Sequence, residues 1–563
     1  MKVRLKVGAL LLAAALTASI GLSACGTPDE AFSEKPGSSQ AVSSASSQGE
    51  SSATSVSNGE SVALTALMIK HPLMKDLNEM QWLNELQERT GVTIEWQQIN
   101  ADWDQKKSPM FMSGEIPDIL INATATTDYA TYPGLFEDIG PLIEEYAPNI
   151  SEMFEKHPET KFLATQLDGK IYATPKYQAI WPKTNTTMFI NRKWLDAVNM
   201  EIPTTWDELY EVLKAFRDTD ANGNGDMSDE IPMDFNGIGN AAYSPQLLLG
   251  SLGMQLTDLA DLGFFAEDAT VKNFFVDERF KTLVVYLQKL YGEGLINTET
   301  INNISDYSKF QSIARGNGDV ASVGFTWGWE VTDRFGNELA DQYTAIPQLK
   351  YSADADYDLR WQNDYYALNY SPNRAVISSD CQNKEAAMRF IDGFYDPVTS
   401  MEVLMGGRNE QDKGIAQNDD GSWYVLPPAD PAMDPGSWKW TNAFAGSGPL
   451  WLREDIPFTL GTDMTTVLEE KALYEDLLSK ADPKKDLYPQ SFMKYTDEEN
   501  NTLAMTQANI KNIVDTQWAL WMTGSGDIEA EWDSYVQSVQ AAGLDEVLGI
   551  RQKAFEEYLA SMD

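Results

Sequence analysis

The sequence predicts an α/β fold of two lobes with a helix-rich C-terminal part. Three observations carry this expectation. At 563 residues, 43% hydrophobic and 11% aromatic, the chain is too long for one ordinary core, so two or more domains are expected. From Val62 onward, short apolar strand patterns alternate with helical spacing, the order that builds a mostly parallel sheet covered by helices. From residue 500 the pattern is helical to the end.

The N-terminal segment reads as an address rather than as fold. Lys2, Arg4 and Lys6 precede a short apolar run that ends in Leu22-Ser23-Ala24-Cys25. The run is too short to span a membrane comfortably and reads as a secretory signal, residues 1–25. Its LSAC ending resembles the bacterial lipoprotein box, which makes Cys25 the expected lipid anchor; the alternative is an ordinary export signal with an incidental cysteine. Residues 26–60 are dominated by serine and small polar side chains, which bury too little apolar area to order the chain, so a flexible tether is expected. The folded body then sits outside the cytoplasmic membrane, lipid-anchored.

Within that body VALTALMI and VTIEWQQI read as strands flanking a helix with Met80, Leu83 and Leu86 on one face. MSGEIPDILIN supplies a turn and a third strand at 118–121. LDGKIYATP (167–175) reads as a hairpin or strand pair, and TTMFINRKWLDAVNM as a strand running into a helix. Thr205 followed by Glu208 predicts a capping box before a helix burying Leu209, Leu213 and Phe216. Residues 280–296 form another expected helix, 318–330 a strand and 384–397 a helix.

Composition narrows the chemistry. The formal charge of −43, from 85 acidic and 42 basic side chains, repels phosphate backbones and argues against nucleic acid or anionic lipid as partners. Two cysteines, Cys25 and Cys381, and two histidines, His71 and His157, cannot assemble a Cys/His zinc cluster. A Ser-His-Asp or Cys-His enzyme is disfavoured on the same count.

The segment FRDTDANGNGDMSDEIP (216–232) is the most concentrated chemical signal. Oxygen side chains alternate at Asp220, Asn222, Asn224 and Asp226, with Asp229 or Glu230 to close the loop. That is a hard-cation set suited to structural Ca²⁺. A frame starting at Asp218 places Gly223 sixth and Asp229 twelfth. A solvated glycine-asparagine turn is the alternative.

Taken together, LSAC, SGEIPDIL (113–120), DGKIYATP (168–175), FINRKWLDAVNMEIPTTWDEL (189–209), DANGNGDMSDEIP (220–232) and the ending from 526 to 558 resemble the extracellular solute-binding lipoproteins of bacterial ABC sugar transporters. The resemblance spans nearly all of the chain. It implies a periplasmic-binding-protein-like fold, two α/β lobes joined by hinge strands with ligand in the cleft between them. Projected here, lobe 1 takes 61–180 with a return segment near 325–375, and lobe 2 takes 181–563 including the C-terminal helices. Relatives with a similar Asx-rich loop hold calcium, which favours the frame Asp220 through Glu230, with an extra residue here before Asp229.

A sugar offers apolar CH faces and a rim of hydroxyls, so its site needs flat aromatic surfaces beside fixed polar groups. Sixteen tryptophans supply candidates: Trp327, Trp329 and Glu330 in GFTWGWE; Trp361, Asn363, Asp364 and Tyr365 in WQNDYY; Trp438 and Trp440 in SWKWTN; and Trp181. Core packing is the competing role for each, and Trp518, Trp521 and Trp532 are expected in the core. The expected function is capture of an oligosaccharide by a monomeric, membrane-anchored receptor and its delivery to ABC permease subunits, without covalent chemistry. A carboxylate-dependent glycoside hydrolase and a surface glycan-binding adhesin are the rivals.

Overall fold

The computed structural model describes residues 61–237, 242–258, 262–301, 307–316, 318–410, 412–431 and 433–562. The signal sequence, Cys25 and the serine-rich segment lie outside the described residues. The body from Asn58 to Asp563 is one compact unit.

Two mixed sheets organise it. In the first, β1 (Val62–Ile69) pairs in parallel with β2 (Val92–Ile99), Val62 opposite Val92 through Ile69 opposite Ile99. The connecting helix Gln81–Thr90 buries Trp82, Leu83 and Leu86 and stops at Gly91, whose φ of 70° suits glycine alone without strain. β3 (Ile119–Ile121) joins β1 in parallel. β4 (Ala173–Gln178) belongs to the same sheet, and the hairpin expected just before it is reduced to a bridge between Thr165 and Ile171.

The second sheet begins with β5 (Thr187–Asn191) and β6 (Ile231–Met233). Between them runs helix Trp206–Arg217, which buries Trp206, Leu209, Val212, Leu213 and Phe216. Thr205 caps it by accepting from the Glu208 N–H at 3.1 Å. The Glu208 carboxylate reaches one residue further back than a capping box requires and accepts from Thr204 N–H at 2.7 Å. A hairpin of β7 (Phe264–Glu267) and β8 (Thr270–Asn273) turns at Asp268 and Ala269, both at positive φ, as a two-residue primed turn requires. β9 (Val323–Gly328) and β10 (Tyr343–Ile346) each pair antiparallel with β5, and β9 lies parallel to β6.

The chain returns to the first sheet at β11 (Tyr370–Ile377), antiparallel to both β3 and β4. Helix Lys384–Gly393 then packs on that side, its Asp392 carboxylate accepting from Ile150 N–H at 2.9 Å. A small sheet of β12 (Ile415–Gln417), β13 (Trp423–Val425) and later β15 (Phe458–Thr459) follows, while β14 (Trp451–Leu452) adds to β4. The orders are β14-β4-β11-β3-β1-β2 and β10-β5-β9-β6.

Two expectations change here. β10 and most of β9 fall within the predicted return segment near 325–375, yet both are strands of the second sheet. Residues 384–452 were expected with lobe 2, yet helix Lys384–Gly393 and β14 sit with the first sheet. Local periodicity marks a strand, but its sheet is decided by pairing across hundreds of residues.

The segments that pass between the sheets lie side by side. Tyr474 accepts from Met188 N–H at 3.0 Å and donates to Ile346 O at 2.7 Å. Trp361 stacks on Tyr474 with centroids 3.9 Å apart and donates to Thr184 Oγ1 at 3.0 Å. Asp364, fully buried, accepts from Asn185 N–H and from the Gln362 amide, each at 2.7 Å. Asp364→Ala orphans two buried donors and is expected to cost roughly 1–3 kcal/mol of stability, read as a lower denaturant midpoint.

Helices Asp497–Met522, Ile528–Ala541 and Leu544–Ser561 close the chain. Trp518, Trp521 and Trp532 are buried as expected, with Trp518 edge-on to Phe280 and Trp532 donating to Glu278.

Candidate functional site

In α/β sheets, ligand sites form beyond the carboxyl ends of parallel strands. In the first sheet that edge is where β1 and β3 give way to Lys70, His71 and Asn122. β11 runs the other way, so its early residues extend past Ile121 to the same edge. There it bulges: Ser371 faces Lys176 and Ala375 faces Thr174, leaving Pro372, Asn373 and Arg374 opposite Pro175 alone. Bulges of this kind re-aim side chains next to functional sites.

The bulge brings Arg374 to Asn122. Its guanidinium donates to Asn122 Oδ1 at 2.6 Å, and Asn122 N–H donates back to Arg374 O at 2.9 Å. Arg374 Nε is buried with no partner among the described residues. Helix Pro435–Asn442 covers this edge with Trp440, stacked on His71 at 4.4 Å. Its Lys439 places an ammonium 5.5 Å from the centre of the Trp181 ring. Trp181 and Trp440 are both half-buried, so each combines a packed body with exposed surface.

In the second sheet the parallel strands β6 and β9 end at Asp234–Asn236 and Trp329–Glu330. Trp329 is half-buried, with the Lys471 ammonium 4.5 Å from its ring centre. Lys471 also donates to Trp329 O at 2.7 Å and to Thr187 Oγ1 at 3.2 Å. Burial lowers the Lys471 pKa and raises that of the neighbouring Glu470 carboxyl, which lies beside Glu330. Beneath this edge Arg334 and Asp234 form a buried ion pair at 2.6 Å.

The other aromatic and polar candidates occupy different places. Trp327 is fully buried in β9, edge-on to Phe325 at 5.0 Å. The strand ends at Gly328, so Trp329 escapes the sheet while Trp327 does not. Trp361 is likewise fully buried. Glu330 caps helix Val331–Phe335, accepting from Thr332 and Asp333 N–H at 2.8 and 2.9 Å. Asn363 accepts from Tyr365 N–H, and Asp364 joins the crossing segments. These five packing or backbone-holding positions are therefore separate from the half-exposed aromatic set. Trp438, half-buried, donates to Lys413 O at 3.1 Å, and Tyr365 bonds the Tyr177 hydroxyl at 3.2 Å.

The acidic loop is folded tightly. One Asp220 oxygen accepts from Gly223 and Asn224 N–H, and the other from Gly225 N–H, at 2.9 to 3.0 Å. Asn222 Oδ1 and Asn224 Oδ1 each accept from the N–H two residues on. The amides of Asn222 and Asn224 donate to opposite oxygens of Asp229, at 3.0 and 2.6 Å. Asp218, by contrast, is held by Arg217, which disfavours the frame beginning there. Among the described residues, no group of three or more His, Cys, Asp or Glu side chains is arranged as a metal site. The loop nevertheless fits a hard cation in its donor chemistry. Glu230 Oε2 is a buried acceptor with no partner among the described residues, and burial raises its carboxyl pKa.

Residues 75–398 match the family described as bacterial extracellular solute-binding protein. The chain belongs to this family. The solute-binding protein is 27% identical over 502 residues to the fructooligosaccharide ABC transporter substrate-binding protein FusA of Streptococcus pneumoniae serotype 4 (strain ATCC BAA-334 / TIGR4), covering 86% of this chain and 88% of FusA. Its structure resembles an HMO-binding, ABC-transporter-associated solute-binding protein from Bifidobacterium longum infantis ATCC 15697. The TM-score is 0.80 at 30% identity, with 89% of this chain and 100% of that chain covered. It also shares its fold with a FusA EF-hand mutant from S. pneumoniae in complex with fructo-nystose, at TM-score 0.75 and 24% identity over 88% and 99% of the chains. The two-lobed α/β fold expected from sequence is thus the fold of this solute-binding protein.

Sequence reasoning missed several residues that this fold gathers. Lys176 and Arg374 come from β4 and β11, Asn122 follows β3, and Lys439 and Lys471 come from distant helices. His71 stacks on the Trp440 ring. Only the extra residues of the β11 bulge, with Asn373 at φ 60°, carry a local signal, and it is visible in backbone rather than sequence.

Proposed function

We propose that this solute-binding protein captures an oligosaccharide between the strand ends of its two sheets and delivers it to an ABC importer. The observation that carries the reading is the placement of half-buried tryptophan rings at both edges, Trp181 and Trp440 by the first sheet and Trp329 by the second. Each is braced by a cation or a second ring. Flat faces with adjacent fixed donors suit the apolar and hydroxylated surfaces of a sugar. The substrates named for FusA and the Bifidobacterium protein support the same class.

In this reading the crossing segments at 183–187, 361–364 and 471–474 act as the hinge. Trp438 and Tyr365 flank the ligand surface. Cys25 carries the lipid that holds a monomeric receptor on the outer face of the cytoplasmic membrane, and residues 26–60 let it reach the permease. The loop from Asp220 through Asn222, Asn224 and Asp226 to Asp229 and Glu230 holds Ca²⁺ as a structural clip, a role supported by the EF-hand named for FusA. The ion's part is to neutralise the clustered carboxylates.

A ligand that binds only the native state raises the unfolding midpoint by mass action. Thermal unfolding of the protein against a panel of oligosaccharides is expected to give a shift with at least one sugar, recovered intact. Recovery of cleaved sugar would instead support the hydrolase, and a flat panel would remove the carbohydrate reading.

A further inference from the structure

Lys176 is the most unusual side chain at the candidate site. It is 5% exposed, yet no hydrogen bond or ion pair engages its ammonium among the described residues. The charged groups acting on it are Arg374 and Lys439, both positive. The Tyr395 hydroxyl is committed to Pro175 O at 2.5 Å. Among the described residues the Arg374 side chain bonds Asn122 alone, and its Nε has no acceptor. Arg279, by contrast, is met by two carboxylates, Asp277 and Glu267.

An ammonium on a side chain only 5% exposed, beside a guanidinium and with no anion to meet it among the described residues, raises the free energy of the fold. Burial and the two positive neighbours push Lys176 down to about 7. Such a group in a site has a functional rationale if a ligand supplies the missing charge. Arg374 lies within the bulge between Ser371, which faces Lys176, and Ala375, which faces Thr174.

We propose that Lys176 and Arg374 form an anion subsite that selects saccharides bearing a carboxylate or a sulfate ester over neutral ones. The proposal rests on the saccharide-binding reading above and deepens it. The guanidinium suits the two oxygens of a planar or tetrahedral anion, and Lys176 adds a point charge. Binding requires Lys176 protonated, so an acidic ligand draws a proton onto the protein near neutral pH.

The test is calorimetric titration of the protein with oligogalacturonates, a sialylated oligosaccharide and a sulfated oligosaccharide, each beside its neutral parent, at pH 6.5 and 8.5. At least one acidic sugar is expected to bind tenfold or more tightly than its parent. Its affinity should fall about tenfold or more between the two pH values as Lys176 loses its proton. The carboxylate and sulfate arms identify which anion the subsite takes. Lys176→Met is expected to erase the preference and the proton uptake, whereas Lys176→Arg retains the preference without the pH dependence. Arg374→Met supplies a second removal should Lys176→Met fail to fold. Neutral sugars binding as tightly as acidic ones, or a preference that survives both removals, overturns the subsite and leaves the saccharide reading standing. Binding of no sugar of either kind overturns both.

Discussion

Trp329→Ala weakens saccharide binding roughly thirtyfold, about 2 kcal/mol, while the unfolding midpoint without ligand changes little. The expectation follows from where the ring sits. β9 ends at Gly328, so the next residue leaves the sheet with one part of its ring against Lys471 and the rest half-exposed. Truncation removes a stacking surface from the site and little from the core. Trp361→Ala gives the opposite signature. That ring is fully buried and stacked on Tyr474 at 3.9 Å, so its loss costs roughly 3–5 kcal/mol of stability. Titration calorimetry and denaturant unfolding on the two variants separate the roles. An affinity unchanged in Trp329→Ala removes that ring from the ligand surface.

Removing the proposed calcium is expected to lower the thermal midpoint, and restoring it to reverse the loss. With free Ca²⁺ about 1,000 times its Kd, the stabilisation is on the order of 4 kcal/mol. Glu230→Gln keeps the shape of the side chain but not its charge, and is expected to abolish the chelator-sensitive part of stability. Asp218→Asn is expected to leave it intact, because Asp218 is engaged by Arg217 rather than by the loop. Midpoints recorded with and without chelator for the wild type and both variants check this. A midpoint indifferent to chelation returns the loop to a solvated turn. The acid side has a definite sign: carboxylates that ligate a cation must be ionised, so the calcium-dependent stability declines as pH falls toward their pKa values.

The alternation of strands and helices was legible because each element carries its own period. VTIEWQQI alternates, and β2 buries Val92 and Ile94 while exposing Thr93 and Glu95. The helix after Thr205 buries the face its spacing predicts. Sheet membership was not legible, since β9 and β10 read as strands whichever sheet they join, and their pairing with β5 spans more than a hundred residues. The same limit explains the site. GFTWGWE contains two tryptophans two residues apart, which a continuing strand would place on one face. The end of β9 between them decides that one is core and the other half-exposed. Asp364 and Glu330 looked like polar contacts for a ligand, but backbone N–H groups at the crossing and at a helix start claim them first. The acidic loop stood out in the sequence because its oxygen side chains alternate within one short segment.

The most direct measurement is hydrogen–deuterium exchange on the protein with and without a saccharide that shifts its midpoint. The account predicts slower exchange at both edges together, around 70–73, 174–185 and 371–376 in the first sheet and 329–334 in the second, with helix 435–442 and little change in the C-terminal helices. Protection confined to one sheet, or centred on the C-terminal helices, would contradict it.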